Sequence, residues 1–143
     1  MADFSAHTTS TASADTLWAQ LTDFGSWDQW NTIHTGFPDG APGTLAPGDT
    51  FREGMLLMGF DAEITWTVKE VQAGQLLTLS GKGPAGVKLR QVYRLTPTAD
   101  GGTEVSIENS VSGAAVTLMA GKVKEAGVAA LQESLPKLTA LVS

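Results

Sequence analysis

Residues 114–142, AAVTLMAGKVKEAGVAALQESLPKLTALV, set the architecture. Apolar or small residues fall at Val116, Met119, Ala120, Val123, Gly127, Ala130, Leu131, Leu138 and Leu141. The spacing repeats at three and four, which draws one stripe down a long helix. Lys122, Lys124, Glu125, Gln132 and Glu133 lie off that stripe and face water. The stripe is slim in its first half (Ala120, Gly127, Ala130) and bulky in its second (Leu131, Leu138, Leu141). This predicts a helix that plugs the closed end of a concave partner and leaves space at the other end. The same small residues also permit close backbone approach, so both readings stand. Pro136 removes one helical hydrogen bond and crowds the preceding turn, at roughly 3 kcal/mol in an ordinary helix interior. Leu138 and Leu141 keep the phase beyond it, which predicts a kinked helix following a curved partner.

The partner is read upstream. Asp3 to Thr11 alternates as a first strand, with His7 on its polar side at the surface. Ser13 is placed to cap a short helix whose apolar face is Leu17, Trp18 and Leu21. Ser26 is placed to cap a second one running through Trp30. Thr32 to Phe37 reads as a short strand, and alternation sets His34 opposite Ile33 and Phe37, on the outside. Longer strands follow at Thr50–Leu57, Phe60–Val71, Leu76–Gly81, Val87–Thr96 and Thr103–Ser112. They are joined by short turns such as Ala73-Gly74 and Asp100-Gly101-Gly102, which imply an antiparallel meander. Each long strand has one apolar face: Phe60, Ala62, Ile64, Trp66 and Val68 on one, Val87, Leu89, Gln91, Tyr93 and Leu95 on another, Val105, Ile107, Asn109 and Val111 on a third. Such a sheet needs covering on one side only, and the C-terminal helix alone is long enough to do it.

Composition narrows the function classes. The 143 residues make one domain, 1–143, large enough for a core without staples. No cysteine is present, which excludes disulfides and thiolate chemistry and fits a cytoplasmic location. The net charge of −6, from 15 acidic and 9 basic side chains, argues against nucleic-acid binding and against docking on anionic lipid. No apolar run is long enough to span a membrane, and the two histidines, His7 and His34, are far apart, so neither a metal nor a cofactor is expected. The glycine-rich Gly81–Gly86 lacks the following helix and hydroxyl residue of a phosphate loop.

The order strand, two short helices, six antiparallel strands and a long C-terminal helix resembles the helix-grip fold of the START-like, or Bet v 1-like, superfamily. Several local patterns are similar to its small bacterial polyketide cyclase/dehydrase branch. These are Leu21-Thr22-Asp23-Phe24 with Trp27-Asp28-Gln29-Trp30, Pro47-Gly48-Asp49-Thr50-Phe51, Trp66 to Val71, and Tyr93 to Pro97 with Gly101 to Val105. The resemblance implies an α+β fold of about seven curved antiparallel strands gripping the last helix. It also implies a cavity between them for an apolar or amphipathic small molecule.

Within that frame certain residues stand out. Gln91 and Asn109 are amides on apolar faces and come together if their strands form a hairpin; buried amides need partners. Tyr93 faces the same space. Trp66, Leu89, Met119, Val123 and Gly127 would complete the pocket wall, with Trp30 and Trp27 split between rim and core. Met55 and Phe60 flank a turn with Leu57 and Met58 and suggest a cavity lip or a contact surface. Glu53 lies between Phe51 and Met55. If these point inward it does too, and a carboxylate in an apolar cavity could serve as an acid or base; a bulge, or pairing with Arg52 or Arg90, would instead turn it away. Three functions follow: a carrier or binder of an apolar molecule, a cyclase- or dehydratase-like catalyst led by Glu53 or Tyr93, or an interaction module using the lip. The expected state is a monomer or weak homodimer.

Overall fold

Alternation becomes one seven-stranded antiparallel sheet in the computed structural model, which describes residues 2–142. The strands are β1 (Ala2–Ser10), β2 (His34–Gly36), β3 (Thr50–Leu57), β4 (Phe60–Gln72), β5 (Leu76–Lys82), β6 (Lys88–Pro97) and β7 (Thr103–Ser112). The helices are α1 (Ala14–Leu21), a 3-10 turn at Phe24–Gln29, α2 (Ala114–Leu118) and α3 (Ala120–Ala140). Consecutive strands from β2 to β7 pair side by side, and β1 returns to close against β7. The sheet curls into a half-barrel around the C-terminal helix, the helix-grip arrangement.

The predicted faces point as alternation requires. Ile64, Trp66, Val68, Leu77, Leu79, Tyr93, Leu95, Val105 and Ile107 are buried on the concave side. Leu17 and Leu21 from α1 and Leu131, Leu135 and Leu138 from α3 complete one core with them. Ser13 caps α1 as expected: the Thr16 N–H donates to its Oγ at 3.2 Å.

The C-terminal stretch differs from its expected form in two ways. It is two helices, because the chain breaks at Met119, with φ −123° and ψ 19°. Across the break, α2 packs on β7 while α3 lies along β1. The helix does continue through Pro136, as the phase of Leu138 requires, and runs to Ala140; the bond that the proline deletes falls at Gln132, on an exposed side where water can solvate the carbonyl. Leu141 lies past the end of the helix and is exposed, and the closed end is plugged by Leu135, at the same helical phase as Leu131 and Leu138. Ser26 is not a cap either. It sits inside the 3-10 turn, its Oγ donating to the Asp23 carbonyl at 2.8 Å and accepting from Gln20 Nε2 at 2.7 Å. Trp27 and Trp30 do not divide between core and rim, since both are buried.

Candidate functional site

The inward phase of β3 carries Phe51, Glu53 and Met55 into the core, and the Glu53 side chain is only 1% exposed. Neither a bulge nor an arginine turns it outward; Arg52 instead binds Asp39 and Glu63 on the opposite face. Oε1 of Glu53 accepts the Trp66 indole N–H at 2.9 Å, and Oε2 lies 2.6 Å from His34 Nδ1. Trp66 lies on β4 with its ring over Gly81 of β5: a Cβ on Gly81 would stand 2.6 Å from Trp66 Cζ3, so only glycine fits there.

His34 overturns its expected outside position, for its side chain is 3% exposed. Two features defeat the simple alternation. The chain turns just before the strand, with the His34 N–H on the Asn31 carbonyl at 3.1 Å, and the β2–β3 register slips between His34 and Gly36. The imidazole then lies among aromatic rings, 4.5 Å from Phe37 and 5.9 Å from Trp27. A buried carboxylate is tolerated only when its oxygens are hydrogen-bonded. Here both are, and the cluster ties the short edge strand β2 and strand β4 to the middle of β3.

The interior cavity lies elsewhere, between β1, β6, β7 and α3. It measures about 20 Å³ and is walled by Phe4, Trp30, Asn31, Ile33, Leu57, Gln91, Tyr93, Ile107, Asn109, Gly127, Ala130, Leu131 and Ser134. Gln91 and Asn109 are direct cross-strand neighbours, as the hairpin reading requires. The Tyr93 hydroxyl donates to Gln91 Oε1 at 2.7 Å. Burial raises the Tyr93 pKa well above the ordinary phenol value, with the charge of Glu53 adding to the effect, which keeps the hydroxyl a donor. Trp30 contributes an indole N–H that is buried with no hydrogen-bond partner among the described residues. At the α3 wall, Ser134 Oγ accepts the Thr32 N–H at 3.0 Å and anchors the segment after Trp30 to the helix.

Trp30, Gln91, Tyr93, Asn109 and Gly127 thus meet at one cavity. Met55, Phe60, Trp66, Leu89, Met119 and Val123 do not line it. Trp66 is committed to Glu53 and Gly81, Met55 is buried in β3, Leu89, Met119 and Val123 are half-buried, and Phe60 projects from a hairpin tip, 64% exposed. Glu53 is also absent from the wall, so the one titratable side chain lining the cavity is Tyr93. Gly127 corrects the reading of the slim half-helix. An added Cβ would stand 2.5 Å from Phe4 Cζ, so α3 lies flush on that ring and the glycine serves close approach. Phe4, Asn31 and Ser134 were not among the expected site residues; Phe4 left a signal in the alternation of the first strand, and Ser134 in a helical phase matching Gly127 and Leu131.

A larger hollow of about 350 Å³ is an open dish at the β2–β3–β4 edge, bordered by Thr35, Phe37, Pro38, Asp61 and Glu63. Among the described residues no group of three or more histidines or carboxylates could hold a metal ion, and no helix is long and apolar enough to cross a membrane.

Known proteins align with this geometry. The model of a family described as "Polyketide cyclase / dehydrase and lipid transport" matches residues 1–143. The chain is 27% identical over 119 residues to toxin Rv0910 of Mycobacterium tuberculosis, covering 82% of each chain. Among solved structures, protein CV1439 of Chromobacterium violaceum superposes with a TM-score of 0.74 at 17% identity, covering 98% of this chain and 96% of that one. A START superfamily protein from Mycobacterium smegmatis does so with a TM-score of 0.64 at 20% identity, over 95% of this chain and 98% of that one.

Proposed function

Because the chain belongs to the polyketide cyclase / dehydrase and lipid transport family, we propose that it binds a small apolar or amphipathic molecule between the sheet and α3. Ligand binding in general is what the family and the START-like fold support. The finer reading places the ligand's polar end among Trp30, Gln91, Tyr93 and Asn109, with its apolar part running toward the first turns of α3. The observation that carries it is the buried Trp30 N–H. A buried donor without a partner is destabilising by about 1–3 kcal/mol, and native interiors rarely keep one without a role. An acceptor oxygen on a ligand would satisfy it, and the Asn109 amide stands on the same wall.

A cavity of about 20 Å³ holds one water molecule at most, so a larger guest needs the wall to move. The first two turns of α3 are suited to that. Every buried residue of α3 lies at Gly127 or beyond, and the break at Met119 uncouples these turns from α2. Outward displacement there would sacrifice little buried surface. A catalytic reading gains no comparable support, since Glu53 has both oxygens engaged away from the cavity.

The test is a thermal-shift screen with fatty acids, isoprenoid alcohols and polycyclic aromatics. At ligand concentrations about 100-fold above Kd, linkage gives about 2.7 kcal/mol of stabilisation. Trp30→Phe then separates a ligand donor from a structural one. Without ligand, lost packing and relief of the orphan donor offset each other, and stability stays within about 1 kcal/mol. With ligand, affinity falls by about tenfold, the worth of one hydrogen bond. A screen in which no compound raises the melting temperature would sink the reading.

A further inference from the structure

One end of the molecule gathers features that the cavity does not use. The register sets the β3–β4 turn at Met58–Gly59, the β5–β6 turn at Gly83–Gly86 and the β7–α2 link at Gly113 at the same end of the sheet. The β5–β6 turn meets the β7–α2 link on one side and the base of the β4 overhang on the other. A Cβ on Gly83 would stand 2.9 Å from Ile64 Cδ1, and one on Gly113 would stand 3.3 Å from Val87 Cα. β4 overhangs its neighbour here, because pairing with β5 begins only at Thr65.

Four of the five exposed large apolar side chains among the described residues lie at this end: Leu56 (46%), Met58 (37%), Phe60 (64%) and Leu118 (88%). Met58 is held at φ 56° beside Gly59 at φ 79°, in a two-residue hairpin turn. That turn favours Asn, Asp or Gly, so an apolar side chain is kept at the tip against local preference.

The charges there are equally out of place for a solvated surface. Lys82 and Lys88 face each other directly across the β5–β6 hairpin, an unfavourable like-charge pair. Lys122 and Lys124 occupy the first turns of α3 at the same end. None of the four is in an ion pair among the described residues, whereas Arg52, Arg94 and Lys137 are. With Arg90, Asp3 and the Arg52–Asp39–Glu63 group, which the registers and ion pairs place at the same end, these four lysines, Asp61 and Glu125 leave +1 here, and therefore −7 on the rest of a chain whose total is −6. A net charge averaged over the chain conceals this division.

We propose that this end docks on an anionic lipid bilayer. The apolar groups sit on protruding hairpin and helix tips, which enter a fluid interface without needing a matching concavity. The lysines around them reach lipid phosphates while their stems stay among the acyl boundary groups. Association with anionic lipid relieves both the Lys82–Lys88 repulsion and the exposure of the four apolar side chains. The proposal is independent of the cavity, and Trp30→Phe leaves it untouched.

Co-sedimentation with phosphatidylcholine vesicles, with and without phosphatidylserine, tests it. The expected result is binding to the anionic vesicles alone, weakening as salt is raised. Phe60→Asp with Leu118→Asp, and separately Lys82→Glu with Lys88→Glu, should each weaken partitioning by about tenfold or more. Lys69→Glu, about 30 Å along β4 from Phe60, should leave it unchanged. All these side chains are exposed, so melting temperatures serve as a check that the variants fold. Absence of binding, equal binding to neutral vesicles, or insensitivity to both double variants overturns the proposal. So does a chain that binds no vesicle but self-associates through Phe60 and Leu118, because the patch would then be a contact between copies.

Discussion

Replacing Gly127 by Leu tests how α3 meets the sheet. A helix-interior glycine exchanged for leucine gains up to about 1 kcal/mol in propensity. Against that, the new Cβ alone would stand 2.5 Å from Phe4 Cζ, well inside contact distance, and the branched carbons beyond it have only the cavity of about 20 Å³ to enter. Overpacking of this kind costs about 1–3 kcal/mol or more, so the net expectation is a loss of roughly 1–2 kcal/mol. The responsible contact can be isolated. Phe4→Ala removes the ring and, for a half-buried phenylalanine, should cost about 2 kcal/mol, below the range for full burial. In the double variant the leucine takes the place of the ring, and the two losses should fall short of additivity by about 1–2 kcal/mol. Urea denaturation of the four proteins, with the slope m checked for constancy, gives the coupling directly. A stable single Gly127→Leu variant, or a strictly additive cycle, would refute the flush packing and restore open space at this level.

Three further outcomes follow from the geometry. Leu138→Ala, at a fully buried position, should destabilise by about 2–5 kcal/mol in the same assay. Glu53→Ala should cost about 3–5 kcal/mol, because it strips partners from both His34 and Trp66; a loss under about 1 kcal/mol would mean that the cluster does not hold β2 in place. Tyr93 is the only tyrosine, so tyrosinate absorbance reads it alone. Its folded pKa lies above the unfolded value of 10.0, so its contribution to stability is full below that pH and is lost as pH rises through the folded value. Tyrosinate should therefore appear in alkali only with unfolding, and its appearance in the native protein near pH 10 would contradict the burial.

The strands were legible because their two-residue period is local and each turn announces itself. β3 and β7 begin and end where alternation sets them, and Gln91 and Asn109 could be brought together by counting from one hairpin turn. What alternation could not supply was any position governed by a partner far along the chain. His34 turned inward because a preceding turn and a register slip reset its phase, and the carboxylate that receives it is on the next strand. Gly127 marked either a gap or a close approach with equal force, and a ring on β1 decided between them. The break at Met119 left no trace in the stripe, because Val116, Met119, Ala120 and Val123 keep the spacing of three and four straight across it.

The pairing of the first strand with the last has a consequence for biosynthesis. Every other strand neighbour is joined through a nearby connection, but Asp3 meets Ser110 across 107 positions. β1 therefore leaves the ribosome first and waits for most of the chain to follow before its ladder can form. A long apolar strand left unpaired for that interval would invite aggregation. The segment Ala2–Ser10, ADFSAHTTS, carries one large apolar side chain and four hydroxyls, and so can remain hydrated until β7 emerges. The meander from β2 to β7 can assemble from local hairpins in the meantime, with closure of β1 and α3 left as the slow, non-local step. Moving β1 to follow α3 by circular permutation would shift that step without changing a single native contact.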